Sequence, residues 1–397
     1  MRKIIPFMMI ICLLLSSCQL KKEENNRKIN NTEEIRGVWI SCYDHISAYG
    51  KTENDYLAET DRMFKTIKNC GLNTAFVHLR AFSDAFYKSD IFPYSSYIAG
   101  SQGNSLPFDP FEVMLASAEK YGISVHGWIN PFRISSKTDI ASLSEKNPAG
   151  RIFETGNKNG EICILDSGIY YNPACISNQK LILDGVKEII EKYDIDGIHI
   201  DDYFYPSTDK GIDKIQYEKY QSDGGKLTLS EWRKSNINAF VAALYSAVKS
   251  VSEDITVSIS PSANIGTNEN ELYADCRLWL SSEGYADLII PQIYFGFHHD
   301  TLPFTETLSE WGSLKSNPSV KLACGLAAYK CNGNYSYLNE NEKSDWQSKK
   351  NNLALQVGQI RENKNYCGFV VFSYGDLTDE NCTEEINNLR NFIITEN

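Results

Sequence analysis

The chain has 397 residues, 42% hydrophobic and 23% charged, which describes a globular protein with ample core rather than a disordered, collagen-like or polytopic one. Lys plus Arg number 39 against 51 Asp plus Glu, a formal charge of −12, so no general basic face is available for a nucleic-acid backbone. The 23 Tyr and 6 Trp suit sugar stacking but equally the core of a large domain, and composition leaves enzyme and binding module both open.

At the N-terminus Arg2 and Lys3 precede an apolar run from Ile4 to Leu15, too short to span a bilayer comfortably, which reads as the core of a signal peptide. It ends in Leu15-Ser16-Ser17-Cys18, small residues leading into a cysteine, a pattern that resembles a bacterial lipobox. Residues 1–17 are therefore expected to be a lipoprotein signal peptide and Cys18 the lipidated residue. Residues 18–34 carry too little apolar content to fold and are expected to be a flexible tether, with one folded domain over 35–397. This predicts an exported protein of the cell envelope, held to a membrane by its lipid. Of the 11 cysteines, nine lie beyond the export segment, scattered without C-x-x-C spacing, which is neither a disulfide framework nor a zinc site; most of them are expected to be buried free thiols, and whether any pair forms a disulfide stays open.

From Arg36 onward short apolar runs alternate with helical periodicity. The strands are expected at Arg36–Ser41, Thr74–Arg80, Ser124–Asn130, Gly197–Asp201, Thr256–Ser262, Asp287–Tyr294, Lys321–Tyr329 and Gly368–Ser373. Helical stretches fall between them, near 54–70, 110–121, 178–193, 231–251, 271–281, 304–313 and 344–363, with a last one near 383–394. Eight such units predict an α/β fold of the closed (β/α)₈ TIM barrel type, and no Gly-rich phosphate loop follows the first strand to suggest a dinucleotide fold.

In such a barrel the cleft is built by the loops at the C-terminal ends of the strands. Residues two apart share a face. His126, Trp128 and Asn130 share one parity, as do His199 with Asp201, and Ser258 with Ser260; the opposite parity, Ile198, Ile200, Val257 and Ile259, suits packing on the outer helices. A polar parity facing the barrel axis is costly unless it serves a site. Asp201 and Asp202 close the fourth strand and are the candidate catalytic pair, followed by the aromatic Tyr203-Phe204-Tyr205, whereas Asp196-Gly197 is a turn into the strand. Arg80, Trp128, Asn130, His199, Tyr203, Gln292 and Tyr294 are the candidate substrate-binding residues at the same rim, with Asp84, Asp44 and Asp376 in neighbouring loops. Amide, guanidinium, hydroxyl and aromatic groups around a carboxylate pair suit a polyhydroxylated ligand.

Arg36-Gly37-Val38-Trp39-Ile40, Gly71-Leu72-Asn73-Thr74, Phe108-Asp109-Pro110, Gly127-Trp128-Ile129-Asn130-Pro131, Asp196 to Pro206 and Pro291-Gln292-Ile293-Tyr294 resemble, in order, the glycosylhydrolase-like family 10 of bacterial glycoside hydrolases. The resemblance covers about residues 35–380. It implies a (β/α)₈ barrel that cleaves glycans, some relatives acting on cell-wall strands stripped of peptides, with the chemistry at the acidic end of the fourth strand, here Asp201-Asp202. The family's Leu-Asp-Pro-Gly segment is partly matched by Leu165-Asp166-Ser167-Gly168, which adds Asp166 as a substrate-binding candidate. Family 18 chitinases carry D-G-x-D-x-D-x-E on the same strand; here Tyr203 stands where that Glu should be and His199 replaces an Asp, so their mechanism is not assigned.

The reading is a glycoside hydrolase acting on a polysaccharide, without cofactor, metal or protein partner. The alternative is a non-catalytic glycan-binding lipoprotein on the same barrel. For the hydrolase, Asp201 is expected to stay ionised as nucleophile or charge stabiliser and Asp202, beside that charge, to hold a raised pKa as the acid; the reverse assignment, or an acid from Asp84, Asp166 or Asp376, stays open.

Overall fold

In the computed structural model, which describes residues 34–348 and 350–395, the apolar runs pair as parallel strands around one barrel. The signal peptide, Cys18 and nearly all of the tether lie outside the described residues; Glu34, the last tether residue, is held by the Arg361 guanidinium at 2.8 and 2.9 Å. Among the described residues no helix is long and apolar enough to cross a membrane.

The first three barrel strands are β1 (Ile35–Ile40), β2 (Thr74–Arg80) and β3 (Ser124–Ile129). An insertion follows, holding β4 (Arg133–Ser135), β5 (Ile162–Leu165) and β6 (Gly168–Tyr171) as a small antiparallel sheet that the sequence reading does not contain. The barrel resumes with β7 (Gly197–Ile200), β8 (Thr256–Ile259), β9 (Leu288–Ile289), β10 (Lys321–Leu322), β11 (Cys324–Ala327) and β12 (Gly368–Phe372). The order is β10-β9-β8-β7-β3-β2-β1-β12-β11, so β10 and β11 end opposite edges of the sheet although only Ala323 separates them in the chain. They are two halves of the seventh strand: β10 pairs with β9, β11 pairs with β12, and Ala323 N–H donates to the Ile289 carbonyl at 2.9 Å. Nine segments thus fill eight barrel positions. Gly325 N–H continues the seam to the Pro291 carbonyl at 2.9 Å, and a Cβ on Gly325 would lie 3.0 Å from that oxygen and 3.1 Å from the Trp39 ring, so the seam closes only on glycine. The sixth strand is shorter than expected because Pro291 lacks an N–H for the ladder.

Alternation sorts the side chains. Trp39, Phe76, Trp128, Leu288, Ile290 and Val370 fill the barrel axis, while Val38, Ile40, Val77, Ile198, Ile200, Val257 and Ile259 join the core under the helices. The helices stand close to their expected places, for example Glu53–Asn69, Pro110–Tyr121, Ile176–Lys192 and Leu229–Lys249, each with an apolar face on the sheet. The expected helix near 344–363 is two, Glu340–Ser348 and Asn352–Glu362, and Lys214–Ser222 is a helix not foreseen.

Most of the cysteines are buried free thiols, as expected, and one pair is joined. Cys331 and Cys382 form a disulfide across 51 residues, tying the turn after β11 to the segment before the last helix; the other seven are free, five of them buried. Spacing along the chain carries no trace of a partner that only the fold brings near.

Candidate active site

The site grows from the start of β7. Asp196 is structural: its Oδ2 accepts the Val125 N–H at 2.7 Å and aligns β7 with β3. Gly197 leaves room for the His126 ring, whose Nδ1 would lie 2.3 Å from a Cβ at that position. Two residues on, fully buried His199 accepts at Nε2 from the Trp39 indole N–H at 3.1 Å and contacts Ser258 Oγ through Nδ1 at 2.8 Å. An indole N–H only donates, so Nε2 is the unprotonated nitrogen and Nδ1 carries the hydrogen. Burial and nearby His126 hold His199 well below the usual imidazole pKa, and it is neutral. Ser260 Oγ lies 3.1 Å from the same Nε2.

Above this layer β7 ends on the two aspartates. Asp201 is 2% exposed; its Oδ2 accepts the Trp128 indole N–H at 3.1 Å and its Oδ1 the Tyr203 N–H at 3.4 Å. Trp128 in turn lies flat on His78 (centroids 3.7 Å apart, planes 10° apart), and His78 Nε2 meets Asn130 Oδ1 at 3.1 Å. Asp202 is half-buried and bonded by Gln292, whose Nε2 also donates to the Ser260 carbonyl at 2.9 Å. Desolvation first, and the Asp202 charge second, push the Asp201 carboxyl well above the ordinary carboxylate range; desolvation also raises Asp202, against the Gln292 bond. The ionised Asp201 expected from hydrogen bonding is therefore not what the geometry favours, because two bonds to neutral donors do not offset burial beside a like charge. Tyr294, partly buried, closes the aromatic floor with Trp39 at 6.3 Å, Tyr329 at 6.1 Å and Phe372 at 5.8 Å.

The structure thus brings Asp201, Asp202, Trp128, Asn130, His199, Gln292 and Tyr294 to one barrel mouth, but at two depths. Trp128, Asn130 and His199 are buried and support the carboxylates from below; Asp202, Gln292 and Tyr294 retain access from above. Arg80 needs a correction. The register slips between His78 and Arg80, so Arg80 pairs with Ile129 and takes the outward parity. It is 1% exposed, donates to the carbonyls of Phe82, Asn130 and Pro131 at 2.7–3.3 Å, and packs on Phe92; it clamps two loops and is not open to a ligand. Asp166 is exposed at the β5–β6 turn and, among the described residues, has no hydrogen-bond or ion-pair partner.

Tyr203, 43% exposed, sits at the rim with the Arg133 guanidinium over its ring at 4.3 Å. Arg133 is the residue sequence reasoning missed: it follows Asn130-Pro131-Phe132, and only the β4–β6 pairing shows that it turns back to the mouth. Its charge lowers the pKa of both aspartates without forming an ion pair with either. Of the loop carboxylates, burial holds Asp84 and Asp376 up at about 6 each, and Asp44 is occupied by Ser41, Ser373 and the Gly375 N–H. At the far end of the loop after β7, Arg233 grips Asp213 with two bonds of 2.7 and 2.8 Å and also reaches Tyr273 and the Thr208 and Asp209 carbonyls. Among the described residues no group of three or more His, Cys, Asp or Glu side chains has metal-binding geometry. A groove of about 680 Å³ by Phe297, Leu355 and Phe392 lies on the helical exterior and holds none of the strand-end carboxylates.

With the geometry in place, comparison with known proteins is informative. Residues 34–346 match the family model described as glycosyl hydrolase-like 10. The chain is 31% identical over 324 residues to glycosyl hydrolase YngK of Bacillus subtilis (strain 168), covering 76% of this chain and 62% of that relative's length. It is 26% identical over 336 residues to glycosyl hydrolase DigH of Escherichia coli (strain K12), covering 76% of this chain and 74% of the relative. Among solved structures, the catalytic domain of beta-amylase from Paenibacillus polymyxa superposes with a TM-score of 0.58 at 10% identity, over 92% of this chain and 99% of that one, a likeness of fold.

Proposed function

The chain belongs to the glycosyl hydrolase-like 10 family, and from that premise we propose that it hydrolyses O-glycosidic bonds in a polysaccharide, bacterial cell-wall glycan strands being the substrate. The observation that carries the reading is the pair of carboxyls at the end of β7, both held above the ordinary range by burial in an aromatic cleft. Raised pKa values favour the protonated form, which an acid catalyst must hold. Asp202 is the member with access from the cleft, and it delivers the proton to the leaving glycosidic oxygen. Asp201, held beneath it by Trp128 and neutral at rest through burial, gives up its proton to solvent as the substrate binds and so meets the positive charge that develops at the sugar carbon. Tyr203 and Tyr294 offer ring faces to the sugar, and Gln292 orients Asp202.

The test is a leaving-group series. Asp202→Asn should lose about 10²–10⁴-fold on the natural linkage and little on an activated aryl glycoside, whereas Asp201→Asn should lose activity on both. Equal losses for Asp202→Asn on every leaving group would remove it from the role of acid. A protein that binds these glycans and cleaves none would instead be the glycan-binding lipoprotein.

The cellular setting is part of the same proposal. Lipidation of Cys18 would hold the barrel at the cell envelope through a polar tether, and two or more acyl chains make such attachment stable. Cys18→Ala should move the protein from the membrane fraction to the released fraction; unchanged membrane retention with normal cleavage would refute the anchor.

A further inference from the structure

We infer that Arg133 is a specificity-determining residue that binds a carboxylate carried by the glycan beside the scissile bond. The inference rests on the hydrolase reading above and names what that site selects. Its basis is a contrast among the arginines of the fold. Arg80 is satisfied by three carbonyls, and Arg233 by Asp213, Tyr273 and two carbonyls. The Arg133 side chain makes no hydrogen bond or ion pair with any described residue, and its Nε is buried without a partner. The guanidinium is instead packed against two rings, Phe82 at 4.8 Å and Tyr203 at 4.3 Å. Ring contacts use none of the N–H groups, so the fork that takes a carboxylate with two parallel bonds stays available to a ligand.

Its neighbours make an acidic ligand the fitting one. Asp201 and Asp202 feel the Arg133 charge, yet neither forms an ion pair with it, so the cation is not neutralised by the protein. An anionic sugar approaching a carboxylate pair is repelled unless a cation stands beside it. Arg133 provides that compensation at the Tyr203 rim and selects acidic over neutral glycan.

The probes are an oligosaccharide of peptide-stripped cell-wall glycan, whose alternate sugars carry a lactyl carboxylate, and the same oligosaccharide with that acid reduced to the alcohol. Both are measured for kcat/KM on the full protein and for equilibrium binding to its Asp202→Asn variant. The native protein should favour the acidic probe by about 10- to 100-fold. Arg133→Gln should erase that preference by weakening the acidic probe alone, and Arg133→Lys, which keeps the charge without the fork, should retain part of it. Salt should weaken binding of the acidic probe more than of the reduced one. Equal losses on both probes in Arg133→Gln, or no preference in the native protein, would overturn the inference. If neither probe is cleaved, the binding measurement still decides it: preferential binding of the acidic probe lost in Asp202→Asn/Arg133→Gln supports Arg133 while the hydrolase reading fails, and binding without preference overturns it.

Discussion

The loop that follows β7 starts on one buried acidic site and ends on another, and the two are treated in opposite ways. At its far end Asp213 is met by Arg233 through two short bonds, with Tyr273 and two loop carbonyls taking the remaining donors. At its near end Asp201 and Asp202 receive an indole, a backbone amide and a glutamine, all neutral, and the Arg133 guanidinium, packed on two rings, forms an ion pair with neither. A matched charge pair fixes chain; an unmatched one stores a raised pKa. The same dozen residues therefore separate an anchor from a site of chemistry.

The comparison predicts mutations of opposite sign. The largest effect on stability belongs to the anchor: Arg233→Ala strands the Asp213 carboxylate in a buried environment and should cost about 3–5 kcal/mol in denaturant unfolding. A loss below about 1 kcal/mol would show that water enters and solvates the aspartate.

At the other end Asp201→Asn should stabilise the fold. A carboxyl whose pKa is raised by folding helps stability most below its unfolded value, near 4, and loses that contribution as pH rises through the folded value. The variant should thus melt above the native protein at neutral pH, with the difference shrinking as pH falls below 4. A native protein that melts higher at pH 7 would contradict the desolvation account. The smallest effect is expected from Trp128→Phe, which keeps the stack on His78 and removes one donor from Asp201. Activity should fall about tenfold, with the limb of the pH–rate profile that reports the pair moving upward. A limb moving downward would show that Trp128 does not support the charged form.

Much of this was legible in the sequence, because periodicity reports burial. The eight strands, the inward parity of His199, Ser258 and Ser260, and the Asp201–Asp202 terminus follow from alternation alone. What escaped depends on events that leave no period. One slipped residue in β2 sends Arg80 outward, and three-residue β4 is too short to announce itself yet decides where Arg133 points. The split of the seventh strand at Ala323 reads in the sequence as one continuous apolar run. Depth was also hidden: strand-end residues such as Asn130 and Gln292 look equivalent, and only packing shows that the first is sealed and the second reachable.

The bond from Trp39 to His199 has a consequence for proton traffic. An imidazole pinned by a donor that can never accept has no vacancy for a second hydrogen, and charging it would set two N–H groups against each other in a dry interior. His199 is therefore a closed position on the barrel axis and hands no proton upward. A proton passing to or from Asp202 moves on the side of the mouth, where Asp202 and Gln292 are reachable, in step with the entry and departure of the sugar itself.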